Sequence, residues 1–236
     1  MMKLNIKTIH LIVVSIFLSI STVSFADVVE VFQWKAFPGK GQDMLEGMSK
    51  AAKIYASEGG QVSIDAHNIG STQLINYVIR WDNSKDYARS KDLQRSSKAW
   101  ADFWAESNAN PAGELVASFS ANNLDPTKKA SDFKGSYVYS AAIWKVNPGK
   151  DLALITRFME AKPILEAAGA RVEIYAGGWG APGEYHYVLM FDSWTALEAS
   201  FSKLGPGSDW AKLMQKRSSE TGAGEQIGYI TAQTMN

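Results

Sequence analysis

Few residues in this chain have the type and setting to do chemistry. Cysteine is absent, which removes disulfides, thiolate metal sites and cysteine nucleophiles together. Of three histidines, His67 and His186 lie beyond the N-terminal segment. His186 stands at the head of a strand-like run between Tyr185 and Tyr187, where an imidazole serves as a base or simply bonds its neighbours. No His/Asp/Glu cluster has the tight spacing of a three- or four-ligand metal site, so no metal is expected. Haem, which needs one axial histidine, remains compatible with the count, but no cofactor is called for. There is no nucleophile elbow and no Ser-His-Asp spacing. Gly177-Gly178-Trp179-Gly180 falls between two strand-like runs and not before a helix, so its glycines serve a turn and not a phosphate. Trp179 at its tip either faces a ligand or packs on the other half of the chain. The 24 basic and 24 acidic side chains balance, so no positive field exists to hold nucleic acid.

The aromatics are more orderly than the polar groups. Trp34 and Trp144, Tyr77 and Tyr187, and Trp100 and Trp210 are each separated by 110 residues. Such twinning fits core packing in two similar units, or a shared ring-lined pocket. Asn76 and Arg80, on the strand that carries Tyr77, would add polar contacts to such a pocket, as would His186.

The elements that position these residues follow from a repeat. Residues 1–26 read as a signal peptide: Lys3 and Lys7, an apolar stretch from Ile9 to Ile20, then Ser24-Phe25-Ala26 before a cut at Asp27. The stretch is shorter than the roughly 20 residues that span a bilayer. The expectation is a periplasmic or secreted product with no membrane segment left after cleavage. Beyond it, Trp34-Lys35-Ala36-Phe37-Pro38-Gly39-Lys40 returns as Trp144-Lys145-Val146-Asn147-Pro148-Gly149-Lys150, and the same register carries Gly59 onto Gly169, Asp82 onto Asp192 and Trp100 onto Trp210. Two units are expected, 27–124 and 137–236, joined by a polar linker over 125–136.

Each unit reads as β-α-β-β-α-β. Strands over Val28 to Lys35 and Tyr137 to Lys145 end at Pro-Gly. Helices follow on the stripes Met44, Leu45, Met48, Ala51, Tyr55 and Leu154, Ile155, Phe158, Ala161, Leu165, with Pro163 expected to kink the second. Hairpins Val62–Ala66/Leu74–Trp81 and Val172–Ala176/Tyr185–Phe191 come next, then a second helical region broken in the second unit by Gly205-Pro206-Gly207, and closing strands near Leu115–Ser120 and Ile227–Thr231. This predicts an α+β fold of two tandem ferredoxin-like units. The strands are apolar on both sides, so the sheets should pack on each other as a barrel and pseudo-dimer within one chain.

That element order, with Phe191-Asp192-Ser193-Trp194 and Asp209-Trp210, resembles the dimeric α/β-barrel superfamily, in particular its antibiotic-biosynthesis-monooxygenase-like branch. The resemblance implies pockets between sheet and helices. It also implies the loose set Asn76, Arg80 and Trp100 in the first unit, and His186 and Trp210 in the second, near an aromatic or haem substrate. Met190 stands where the first unit has Arg80, so the two units should not form equal sites. Three functions follow as expectations: binding of a small apolar or aromatic molecule in sheet-helix clefts lined by Trp34, Trp100, Tyr77 and their twins; cofactor-independent oxygenation of a polyphenol or quinol-like substrate, with His186 or Arg80 assisting deprotonation; or an interaction and assembly role.

Overall fold

The computed structural model describes residues 26–70, 73–218 and 222–235. The segment read as a signal peptide lies outside them apart from Ala26.

In the first half, β1 (Ala26–Ala36), α1 (Gly41–Ser57), β2 (Gln61–Ile69), β3 (Leu74–Asn83), α2 (Ser84–Gln94), α3 (Lys98–Ala109) and β4 (Gly113–Asn123) follow in order. A short 3-10 turn, Ala130–Phe133, lies in the connection. The second half has β5 (Val138–Val146), α4 (Asp151–Ala168), β6 (Arg171–Gly177), β7 (Glu184–Phe191), α5 (Trp194–Phe201), α6 (Asp209–Arg217) and β8 (Gly224–Thr234). The fold is α+β, with an eight-stranded antiparallel sheet of ferredoxin-like type. The strands close into one barrel in the order β1-β3-β2-β8-β5-β7-β6-β4.

Register is matched between the halves. Gln33 pairs with Asn76 as Ile143 pairs with His186, and a bulge falls at Gln33/Trp34 in one half and at Ile143/Trp144 in the other. The last strands keep a different offset: Ala36 faces Gly113 and Val146 faces Gly224, one residue more than the 110 that relates Ala36 to Val146. The halves join edge to edge, β2 on β8 and β4 on β6, by main-chain pairing. Closure in this way leaves the barrel itself without an open seam.

Strand parity sorts the side chains into two compartments. Outward-facing Tyr77, Ile79 and Trp81 meet Met44, Met48, Tyr55 and Trp100 of the helices. The second half repeats this with Tyr185, Tyr187 and Leu189 against Leu154, Phe158 and Leu165. Inward-facing Val29, Val31, Val78, Ala121 and Tyr175 form a separate barrel core.

The structure refines three sequence expectations. Pro163 lies inside α4, which continues through it to Ala168. The carbonyl it leaves without a donor belongs to Met159, a half-exposed residue beside water. The second helical region of the first half is two helices and not one, because Ser97 caps a new one by accepting from the Trp100 amide at 3.3 Å. The closing strands also extend four or more residues further than expected overall, to Gly113–Asn123 and Gly224–Thr234; they reach across to the neighbouring half at their C-terminal ends.

Candidate functional site

The sequence placed ligands in the clefts between sheet and helices; the structure packs the aromatic candidates into the helix-facing cores and leaves a groove of about 320 Å³ between α1 and β2, lined by Ser49, Ala52, Val62, Ile64 and Phe133 and by none of the candidate residues. Trp100 is buried, its indole N–H donating to Glu58 at 2.8 Å, and its ring lies edge-on to Tyr55 at 4.7 Å. Tyr77 is buried on the same side, Trp34 packs against that cluster, and Trp144 and Trp210 pack against its counterpart. Tyr187 donates to the Phe158 carbonyl at 3.3 Å. Trp179 is 84% exposed. Its hairpin is pinned to β4 through the main chain, where Gly180 has φ +82° and an added Cβ would fall 2.5 Å from the Ser118 carbonyl oxygen. The rings gather in two packed cores, one per half, and Trp179 stands outside both. Trp100→Ala should therefore act as a core truncation, costing about 3–5 kcal/mol in urea unfolding while leaving ligand occupancy of the folded protein unchanged.

The cavity that gathers the polar candidates is inside the barrel. A partly enclosed space of about 90 Å³ is lined by Asn76, Arg80 and His186 together with Asp65, Tyr139, Tyr175 and an apolar wall that includes Val78, Phe119, Val188 and Ile230. Parity explains the meeting of the three polar candidates: each is one residue out of step with the helix-facing tyrosines on its strand. Asn76 and His186 occupy matched positions, as do Asp65 and Tyr175.

Around this space the polar groups fall into two clusters. Arg80 Nη1 donates to Asp27 Oδ2 and to the Tyr175 hydroxyl, each at 2.8 Å, and Tyr175 donates to the same carboxylate at 3.0 Å. Phe133, from the connection, stacks under Arg80 with the guanidinium carbon 3.9 Å from the ring centroid. Burial alone would lower the Arg80 pKa, but Tyr175 and Asp27 outweigh it and keep the guanidinium charged. Asp27 takes φ +42° to reach this position. On the other side, Asn76 Nδ2 donates to Tyr139 Oη at 3.1 Å, and Tyr139 and Ser63 approach Asp65 Oδ2 at 3.4 Å. Burial raises the Asp65 pKa to about 6, against the opposing pull of Arg80 and its hydrogen bonds. His186 lies 4.8 Å from the Phe119 ring centroid, and burial lowers its pKa to about 4, so it is neutral at ordinary pH.

Asp65, Asp27, Tyr139 and Tyr175 escaped the sequence reading. Ser63 and Asp65 alternate with Val62 and Ile64, which in an open sheet marks a solvent face. The available signal was the matched Glu173 and Tyr175, since a tyrosine at the twin of Asp65 argues against solvent.

The fit of a haem can be tested directly. His186 faces a space several times too small for a tetrapyrrole, and the groove between α1 and β2 is lined by no histidine. The described residues do not fit that group, and no step is derived through it. No cluster of three or more metal-ligating side chains occurs among the described residues, and none of their helices is long and apolar enough to cross a membrane.

No family model matches the chain, and no curated protein does. Solved structures do. A protein from Fusobacterium nucleatum subsp. nucleatum provisionally named a monooxygenase superposes with a TM-score of 0.57 at 8% identity, covering 90% of this chain and 94% of that one. An anthrone oxidase-like protein gives 0.55 at 17%, covering 90% and 92%. Chlorite dismutase from Candidatus Nitrospira defluvii, in complex with imidazole, gives 0.51 at 6%, with the same coverage. At such identities the likeness shows the ferredoxin-like fold alone.

Proposed function

We propose that the chain is an extracytoplasmic protein, two fused copies of one ferredoxin-like unit, that binds a small, largely apolar or aromatic molecule inside its barrel. The observation that carries this reading is a cavity with apolar walls into which His186 Nε2, Asp65 Oδ1 and Arg80 Nε present buried polar atoms that lack a partner within the protein. Native cores seldom leave such atoms unsatisfied, whereas ligand sites combine apolar walls with a few polar groups in this way. The matched register of the halves supports duplication, and the arrangement of residues 1–26 supports export.

Size narrows the ligand. A cavity of about 150 Å³ holds a benzene ring, so about 90 Å³ suits a molecule no larger than one ring that leaves part of itself at the opening. A fused tricyclic substrate does not fit. Native mass spectrometry of the mature protein from its own cell envelope should show a bound organic mass below about 200 Da, a ceiling set by that size limit, lost when Val188→Trp fills the barrel. Equal occupancy in the filled variant would refute the barrel site.

A second reading, cofactor-independent oxygenation, is favoured by one observation: a carboxyl with a pKa near 6 faces the cavity, suited to taking a proton from an electron-rich ring whose anion passes one electron to O2, the ring radical and superoxide then joining as a C–O bonded hydroperoxide that loses water to leave one oxygen on the ring. The folds named for monooxygenases agree with it. Oxygen uptake with hydroquinone, abolished in Asp65→Asn, would establish it; uptake equal to the buffer rate would exclude it for this substrate.

A further inference from the structure

We infer that Asp65 is the residue that selects the ligand, and that it selects a neutral molecule bearing a hydroxyl, a phenol and not a benzoate or a bare hydrocarbon. This rests on the barrel interior being the ligand site.

Two buried carboxylates occupy unlike settings. Asp27 is 2.8 Å from Arg80 Nη1 and also accepts from Tyr175; its charge is matched, and it does not line the cavity. Asp65 is equally buried and lines the cavity, and where Asp27 is bonded to a guanidinium, Asp65 feels Arg80 only as a neighbouring charge. Its Oδ2 takes two long hydrogen bonds at 3.4 Å, its Oδ1 takes none within 3.5 Å, and the Thr234 hydroxyl lies close enough to help hold its pKa down. A buried acceptor in that state lacks about 1–3 kcal/mol of hydrogen bonding, which a ligand O–H can supply. A carboxylate ligand would bring like charge against Asp65, and the one guanidinium of Arg80, already bonded to Asp27 and pulling on Asp65, would have to serve a third anion. Val78, Val188 and Phe119 supply the apolar surface for a ring.

Within the cavity, Asp65 is the group whose charge changes near neutrality. Arg80 on β3 stays charged. Tyr137 just before β5, Tyr139 on β5 and Tyr175 on β6 are pushed by burial above the ordinary tyrosine range and stay neutral. His186 on β7 is uncharged down to about 4. Asn76 and Thr234, the cross-strand neighbours of Asp65, do not ionise, and His67 lies two residues along the same strand. An ionised acceptor makes the stronger bond, so selection for the hydroxyl should weaken as Asp65 takes up a proton.

Fluorine NMR titration of the full protein with 4-fluorophenol, fluorobenzene and 4-fluorobenzoate tests this. At about pH 7.5 the phenol should bind about tenfold more tightly than fluorobenzene, and the benzoate more weakly than either. At about pH 5 the phenol's advantage should fall to about threefold or less, with fluorobenzene unaffected. Asp65→Asn should abolish the pH dependence while still taking up fluorobenzene. Equal binding of phenol and fluorobenzene at both pH values, or an unchanged advantage in Asp65→Asn, overturns the role of Asp65 and leaves the barrel site standing. Failure of the wild-type protein to bind either ring overturns the barrel site, and this inference with it. If Asp65→Asn does not fold, the wild-type pH comparison decides.

Discussion

Replacing Arg80 with methionine, the residue at its matched position, is expected to destabilise the protein by about 3–5 kcal/mol, the usual cost of removing one partner of a buried ion pair. The Arg80–Asp27 pair is sealed: the side chains are 10% and 0% exposed. Methionine fills the space of the arginine stem, so the loss is mainly that of an Asp27 carboxylate stranded with Tyr175 and a 3.5 Å contact from Asn123. The test of that cause is the double variant. Asp27→Asn removes the charge, and asparagine tolerates the positive φ that Asp27 adopts, so Asp27→Asn with Arg80→Met should recover most of the loss. If urea unfolding shows the two losses simply adding, the arginine's contribution is packing against Phe133 and not charge pairing.

The second large effect depends on pH. Asp65 has a pKa of about 6 in the folded protein against 3.8 ordinarily, so its contribution to stability is present below about 3.8 and lost as the pH rises through about 6. His186 is opposite: about 4 against 6.5, so its contribution is present above about 6.5 and lost as the pH falls through about 4. Each displacement corresponds to about 3 kcal/mol. Their windows overlap, so in the wild-type protein the two nearly cancel. Single variants should expose them. His186→Asn, the matched residue, should become more stable relative to wild type as the pH is lowered from about 7 to about 4; Asp65→Asn should become less so, having started about 3 kcal/mol more stable than wild type at neutral pH. Unfolding free energies whose pH dependence is the same in all three proteins would contradict the burial of these groups.

The repeat in the sequence reveals most of the fold, because matching residues such as Trp34 and Trp144 fix strand order and the core stripes twice over. It also shows that Asn76, Arg80 and His186 sit on strands. It does not show which face of those strands holds the ligand. Tyr77 and Asn76 are neighbours in sequence but on opposite faces, and with apolar residues on both faces the helix side and the barrel side look alike. Only closure of the sheet, through pairings such as Asp65 with Thr234, turns the polar positions of β2 inward and makes Asp65 part of a site. Phe133 and Asp27 were hidden for a related reason. One lies in a polar connection and the other at the edge of the expected signal peptide, and both reach Arg80 by contacts too distant in sequence for local pattern to reveal.

The most direct test is a crystal structure of the protein grown with 4-fluorophenol. Density for the ring between Val78 and Val188, with its hydroxyl within hydrogen-bonding reach of Asp65 Oδ1, is the predicted result. A ring lodged instead against Trp100 or Trp210, outside an empty barrel, would contradict it.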